Sequence, residues 1–325
     1  EAIASYRQIV ELNRDNVEAY QNLLQVQPDN SETWFQLAQA FVRQEQMEEA
    51  IGAYRRASEL NPDADWIHQA LASVLQQQKE SNLAEAIASY RQIVELNRDN
   101  VEAYQNLLQL QPDNSDTWLQ LAQAFVRQEQ MEEAIASYLQ AVKLSQGNFY
   151  YCQGLSEALI KVNQPHHWEQ AIAIYRRLIS EKPNLISVNH FLGFALQNTQ
   201  QLEAACQAYQ SEISINPDFF WSYFSLGNCA KEMQQWEEAV RAYQRALELN
   251  PAFTSLNKEF GEAYYQLGKE SIEKNQLEKA TQYYQKALEK QPHQKLAYYD
   301  LQESITRAYH QLGIDQAEQG LLDEA

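Results

Sequence analysis

Long apolar runs are missing from this chain of 325 residues. No stretch approaches the roughly 18 apolar residues that a membrane-spanning helix needs, which excludes membrane insertion. Glycine and proline are scarce, 9 and 8 in number, so a loop-rich or low-complexity chain is excluded as well. Cys152, Cys206 and Cys229 are odd in number and contain no C-x-x-C pair. They are expected as buried free thiols in a reducing, cytoplasmic compartment. Basic residues are outnumbered, 25 Lys and Arg against 44 Asp and Glu, for a net charge of −19. Neutralising phosphates requires the opposite balance, so neither nucleic acid nor an anionic membrane is an expected partner. Catalytic signatures are missing too: there is no phosphate-binding glycine loop, no G-x-S-x-G and no H-E-x-x-H. His166 and His167 fall in an expected turn, "NQPHHW", with no third ligand nearby in sequence. No catalytic residue, metal or cofactor is therefore expected.

What is present is Gln, Ala, Leu and Glu, which suit helices, with 19 tyrosines among the aromatics. From Ser31, the residues Trp34, Leu37, Ala38 and Phe41 form one apolar stripe at helical spacing. A polar turn follows around Gln44 to Gln46, Ala50, Tyr54 and Ala57 form a second stripe, and Pro62 ends it. Small residues such as Ala38 and Ala50 let paired helices approach, while Trp34, Phe41 and Tyr54 fill the space to the next hairpin. The pattern recurs, most clearly at Tyr223, Leu226, Gly227 and Ala230, followed by Ala239, Tyr243, Ala246 and Pro251. The stripe places Tyr243 between hairpins.

This recurrence resembles the tetratricopeptide repeat (TPR), a helix–turn–helix of about 34 residues, over nearly the whole chain. The resemblance implies an all-α, right-handed superhelical solenoid of about eight such hairpins. Several copies depart from the pattern. Glu212 stands where the second helix usually has a small residue, and Arg14 and Arg98 stand where proline is expected. Extra residues near Lys79 to Asn82 and in "NQPHHW" lengthen turns, and hairpins across 254–325 carry extended first helices. Glutamate pairs at 48/49, 132/133 and 237/238 share one register position at the start of a second helix, where they favour the helix dipole.

Residues 1–84 and 85–168 open on near-identical 51-residue blocks that differ at Val26/Leu110, Glu32/Asp116 and Phe35/Leu119. Each block contains "NVEAYQNLLQ" followed three residues later by Pro28 or Pro112, which reads as a half-sized repeat with no second helix. These two inserts are expected to set the curvature of a single array, so that deleting residues 100–115 would change its shape. The chain begins at "EAIASY" and ends at "LLDEA", both inside repeat motifs, so it is expected to be part of a longer array.

In such arrays the first helices line the concave face. The register then directs Tyr150, His190, Phe194, Trp221, Phe224, Asn228, Lys231, Lys258 and Lys269 into the groove, with Phe191 beside them. The aromatics would form one floor flanked by lysines, suited to a peptide or protein partner with an apolar anchor and acidic flanks. The clamp for a carboxylate terminus known in this family is not legible, because Phe224 stands where its lysine would be. The expected function is a non-catalytic protein–protein interaction scaffold; homo-oligomerisation is left open. The alternative is the recognition arm of a larger transferase, because "PDFFWSYFSLGN" is similar to TPR segments attached to bacterial glycosyltransferases.

Overall fold

A computed structural model describes residues 2–78, 82–292 and 298–323, with side chains described as far as 315. All regular structure among these residues is α-helical. The helices fall into two compact units, residues 1–145 and 146–325. The first unit contains α1 (Ala2–Leu12), α2 (Val17–Val26), α3 (Ser31–Arg43), α4 (Met47–Leu60), α5 (Asp65–Gln77), α6 (Leu83–Leu96), α7 (Val101–Leu110), α8 (Ser115–Arg127) and α9 (Met131–Leu144). The second contains α10 (Phe149–Val162), α11 (Pro165–Glu181), α12 (Val188–Asn198), α13 (Leu202–Ile215), α14 (Phe220–Glu232), α15 (Trp236–Leu249), α16 (Leu256–Glu273), α17 (Leu277–Lys290) and α18 (Tyr299–Asp323). The lengthened turn expected near Lys79 to Asn82 lies largely outside the described residues.

Local chemistry sets the helix ends. Asn16, Asn30, Asn100 and Asn114 each cap a helix by accepting the N–H three residues on, at 2.8–2.9 Å. Among the described residues, six hairpin turns use a left-handed residue that is not glycine: Glu45, Glu129, Asn163, Gln200, Gln234 and Asn275 all have φ between 48° and 61°. The N–H of Gln130 reaches back to the Phe125 carbonyl at 2.9 Å, the long bond of a Schellman motif. A left-handed L-residue costs about 1 kcal/mol that glycine does not. Glu129→Gly is therefore expected to raise stability by about 1 kcal/mol in urea denaturation, and a loss of stability would contradict the turn geometry.

The two half-sized inserts are α2 and α7. Each packs between the helix before it and the helix after it, and Tyr104, Leu107 and Leu108 of α7 are buried there. The turn before α7 is fixed from a distance. Arg127, at the end of α8, pairs with the Asp99 carboxylate and donates to the Arg98 carbonyl, and the Gln128 side chain donates to the Asp99 carbonyl at 2.7 Å. Arg43 and Gln44 repeat the arrangement at Arg14 and Asp15. These polar links stand where a proline would otherwise stiffen the connection.

Two departures from the repeat pattern have structural causes. The turn in "NQPHHW" is confined to Asn163 and Gln164: Pro165 occupies the first position of α11, where its fixed φ suits a helix start, so both histidines are helical. Glu212 on α13 is fully buried and caps another helix. Its Oε1 accepts the N–H of Ser187 at 2.7 Å, at the start of α12, where no side chain of α12's own supplies a cap. Burial raises its pKa, while the N–H groups of Ser187, His190 and Asn189 act in the opposite direction.

Candidate functional site

The candidate site lies within the second unit, on first helices and the loops that precede them. Its geometry depends on the buried tyrosines of the second helices. Tyr209 on α13 donates to Gln197 Oε1 at 3.0 Å, and Tyr243 on α15 donates to Asn228 Oδ1 at 2.8 Å. Both amides line a cleft of about 310 Å³ together with Phe224, Lys231, Glu232 and Glu259. Core tyrosines thus orient the polar groups of the groove, because a buried hydroxyl needs a partner and the nearest is the amide above it. The same link recurs from Tyr90 to Gln76 and from Tyr284 to Gln302.

The residues singled out from sequence divide into three groups. Tyr150 and Trp221 are presented to solvent, at 74% and 44% exposure. Phe194 and Phe224 are half-buried. Phe194 packs on Trp168 with ring centroids 5.9 Å apart, and Phe224 packs on Phe253 at 5.5 Å. His190 and Phe191 lie beneath the surface rather than on it. His190 is enclosed by the rings of Phe191, Tyr209 and Phe219 and shares a 3.2 Å hydrogen bond with Ser222 Oγ. Burial pushes its pKa down to about 4. Phe191 sits against Phe149 and Tyr175, at 5.4 and 6.4 Å.

The lysines divide as well. Lys231 is held between the carboxylates of Glu259 and Glu262, and although burial opposes its charge, the two acids raise its pKa. It is neutralised within the groove and does not offer a spare positive charge. Lys258 is exposed, and Lys269 lies over the Tyr265 ring at 5.6 Å, a cation–π contact. Asn228 is occupied by the Tyr243 hydroxyl.

The groove register missed the rings supplied by loops and helix starts. Phe220 and Phe253 enclose Trp221 at 5.0 and 5.7 Å, and Phe149 reaches Phe219 at 6.2 Å. A signal was available in the loops. Two places after Pro28 and Pro112 in the first unit stand Asn30 and Asn114, which cap helices. Two places after Pro217 and Pro251 in the second unit stand Phe219, which makes no side-chain capping bond, and Phe253. A capping hydrogen bond has been replaced by a ring that packs on its neighbours.

Alternating first and second helices, packed as hairpins through small residues and tyrosines, define an all-α helical-repeat array. Models of the tetratricopeptide repeat match residues 38–79, 220–253 and 261–294, and the TPR domain of cytochrome c-type biogenesis protein H matches residues 105–218. The chain is a tetratricopeptide repeat protein. No curated protein matches it. Among solved structures, the C-terminal part of a TPR repeat-containing protein from Cytophaga hutchinsonii is 15% identical. It covers 82% of this chain and 98% of its own, with a TM-score of 0.50. YrrB, described as a TPR protein with an unusual peptide-binding site, is 20% identical over 63% of this chain and 95% of its own, at a TM-score of 0.36. MamA from Desulfovibrio magneticus RS-1 is 15% identical over 58% of this chain and 96% of its own, also at 0.36.

Proposed function

We propose that this chain is a non-catalytic scaffold that binds a peptide or partner protein along the first-helix face of its second unit. The observation that supports this most is Trp221. It is exposed, yet Phe220, Phe224 and Phe253 hold its ring on three sides. A rigid aromatic presented in this way loses little entropy on binding and suits an apolar anchor of a partner. The neighbouring cleft offers amides already oriented by Tyr209 and Tyr243. Acidic flanks of the partner are assigned to Lys258 and Lys269, because Lys231 is already paired.

The test is selection from a displayed peptide library, followed by titration of a selected peptide. Trp221→Ala with Tyr150→Ala is the suitable pair, since both rings are exposed and their loss spares the core. Binding is expected to weaken at least tenfold, with the circular-dichroism melt unchanged. Lys258→Glu with Lys269→Glu is expected to weaken peptides with acidic flanks in a salt-dependent manner. Undiminished binding by the Trp221/Tyr150 variant would place the partner elsewhere.

A further inference from the structure

The strongest unused chemistry in the molecule is a pair of thiols. Cys206 on α13 and Cys229 on α14 come from successive hairpins, and their Sγ atoms lie 2.7 Å apart. That is closer than two sulfurs rest in ordinary van der Waals contact and only about 0.7 Å beyond the disulfide bond length. We propose that Cys206 and Cys229 form a reversible disulfide under peroxide, stapling one hairpin of the second unit to the next.

The surroundings assign a role to each sulfur. Cys206 is 9% exposed, whereas Cys229 is sealed at 0%, so a small oxidant reaches Cys206 first. The contact with the Cys229 sulfur pulls the Cys206 pKa below the usual thiol value, against burial and the carboxylates of Glu238, Glu203 and Glu232. The Cys229 thiol is raised by the same contact. Cys206 is therefore the attacking thiolate and Cys229 the resolving thiol. In the first step the Cys206 sulfur attacks one oxygen of hydrogen peroxide, the O–O bond breaks, and Cys206 becomes a sulfenic acid with release of water. In the second, the Cys229 sulfur attacks the Cys206 sulfur and expels the sulfenic oxygen, which leaves as water with the Cys229 proton. Two thiols and one peroxide give one disulfide and two waters. Cys152 takes no part: it is buried on α10, where burial pushes its thiol up to about 12.

The sulfurs need only approach each other, since α13 and α14 already pack directly. The bond would close a loop of about 24 residues and hold the α13–α14 contact in the unfolded ensemble. The adjoining groove residue Asn228 and the cleft-lining Gln197 would then sit on hairpins tied together covalently.

The experiment uses the folded wild-type chain, titrated with hydrogen peroxide and then denatured and alkylated. Two of the three cysteines are expected to become unreactive to alkylation, with loss of the mass of two hydrogens, a crosslinked peptide joining Cys206 to Cys229, and recovery by dithiothreitol. The oxidised chain should melt about 5 °C higher than the reduced chain. Cys152→Ser should behave as wild type, whereas Cys206→Ser and Cys229→Ser should form no intramolecular bridge. Three alkylatable thiols after peroxide, over-oxidation to sulfinic acid without a crosslink, or a bridge only between chains would each overturn the proposal.

Discussion

Tyr243→Ala is expected to destabilise the second unit by about 3–5 kcal/mol, the range for removing a large buried aromatic. Three things are lost together. The ring is fully buried in the cluster formed by Ala230, Ala239, Ala246, Leu256 and Phe260. It lies against Gly227, where an added Cβ would come within 2.3 Å of it, so the first helix approaches to a distance that the tyrosine ring then fills. Its hydroxyl is also the 2.8 Å partner of Asn228. Tyr243→Phe isolates that last part and is expected to cost about 1 kcal/mol. In a repeat array each hairpin is supported chiefly by its neighbours, so the damage should be local. Hydrogen exchange should accelerate in α14, α15 and α16, while α3, α4 and α5, which belong to a different cluster, keep their protection. Uniform loss of protection, or none, would contradict the packing described.

Much of this fold was legible because the repeat is a physical rule applied many times. A small residue, a tyrosine and a stop recur at fixed spacing, and Tyr54, Tyr138, Tyr175, Tyr209 and Tyr243 are all buried as that spacing requires. The candidate site was less legible. Helical register says which way a side chain points, but not what another segment lays over it. His190 and Phe191 point toward the groove side in register, yet Phe149 and Phe219 cover them. Lys231 has the register of a groove cation, and the acids that neutralise it, Glu259 and Glu262, come from the following first helix.

The duplicated block shows the same limit without any difference in sequence. Residues 1–12 and 85–96 are identical. Ile93 on α6 is fully buried, whereas its counterpart Ile9 on α1 is 39% exposed. The difference is α5, which packs on α6 and has no equivalent beside α1 among the described residues. Burial is a property of the neighbour as much as of the residue. Glu212 makes the converse point: a charged residue at a small-residue position looks like an error in the repeat until the uncapped start of α12 is placed beside it.

Lowering the pH from 7 to about 4.5 is expected to destabilise the second unit, with His190 as the main cause. Its ordinary pKa of 6.5 falls to about 4 because the imidazole is buried among Phe191, Tyr209 and Phe219, where an imidazolium loses its hydration. In the unfolded chain the ring protonates as pH drops below 6.5; in the folded chain it remains neutral until about 4. Stability is therefore fully present above 6.5 and is lost as pH falls through that window, by about 3 kcal/mol at its end. Glu212, whose carboxylate faces the His190 backbone N–H, acts in the opposite sense. Its raised pKa means the folded state takes up its proton more readily, so acidification offsets part of the loss. His190→Gln keeps a hydrogen-bonding group for Ser222 but cannot titrate. Urea denaturation of both proteins at a series of pH values should give a steep decline for the wild type between 6.5 and 4.5 and a shallower one for the variant. The ring resonance of His190 should show no titration above about pH 5 by NMR. Parallel decline of the two proteins, or a His190 resonance titrating near its ordinary pKa, would mean that the histidine is hydrated and that the aromatic cover over it opens in solution.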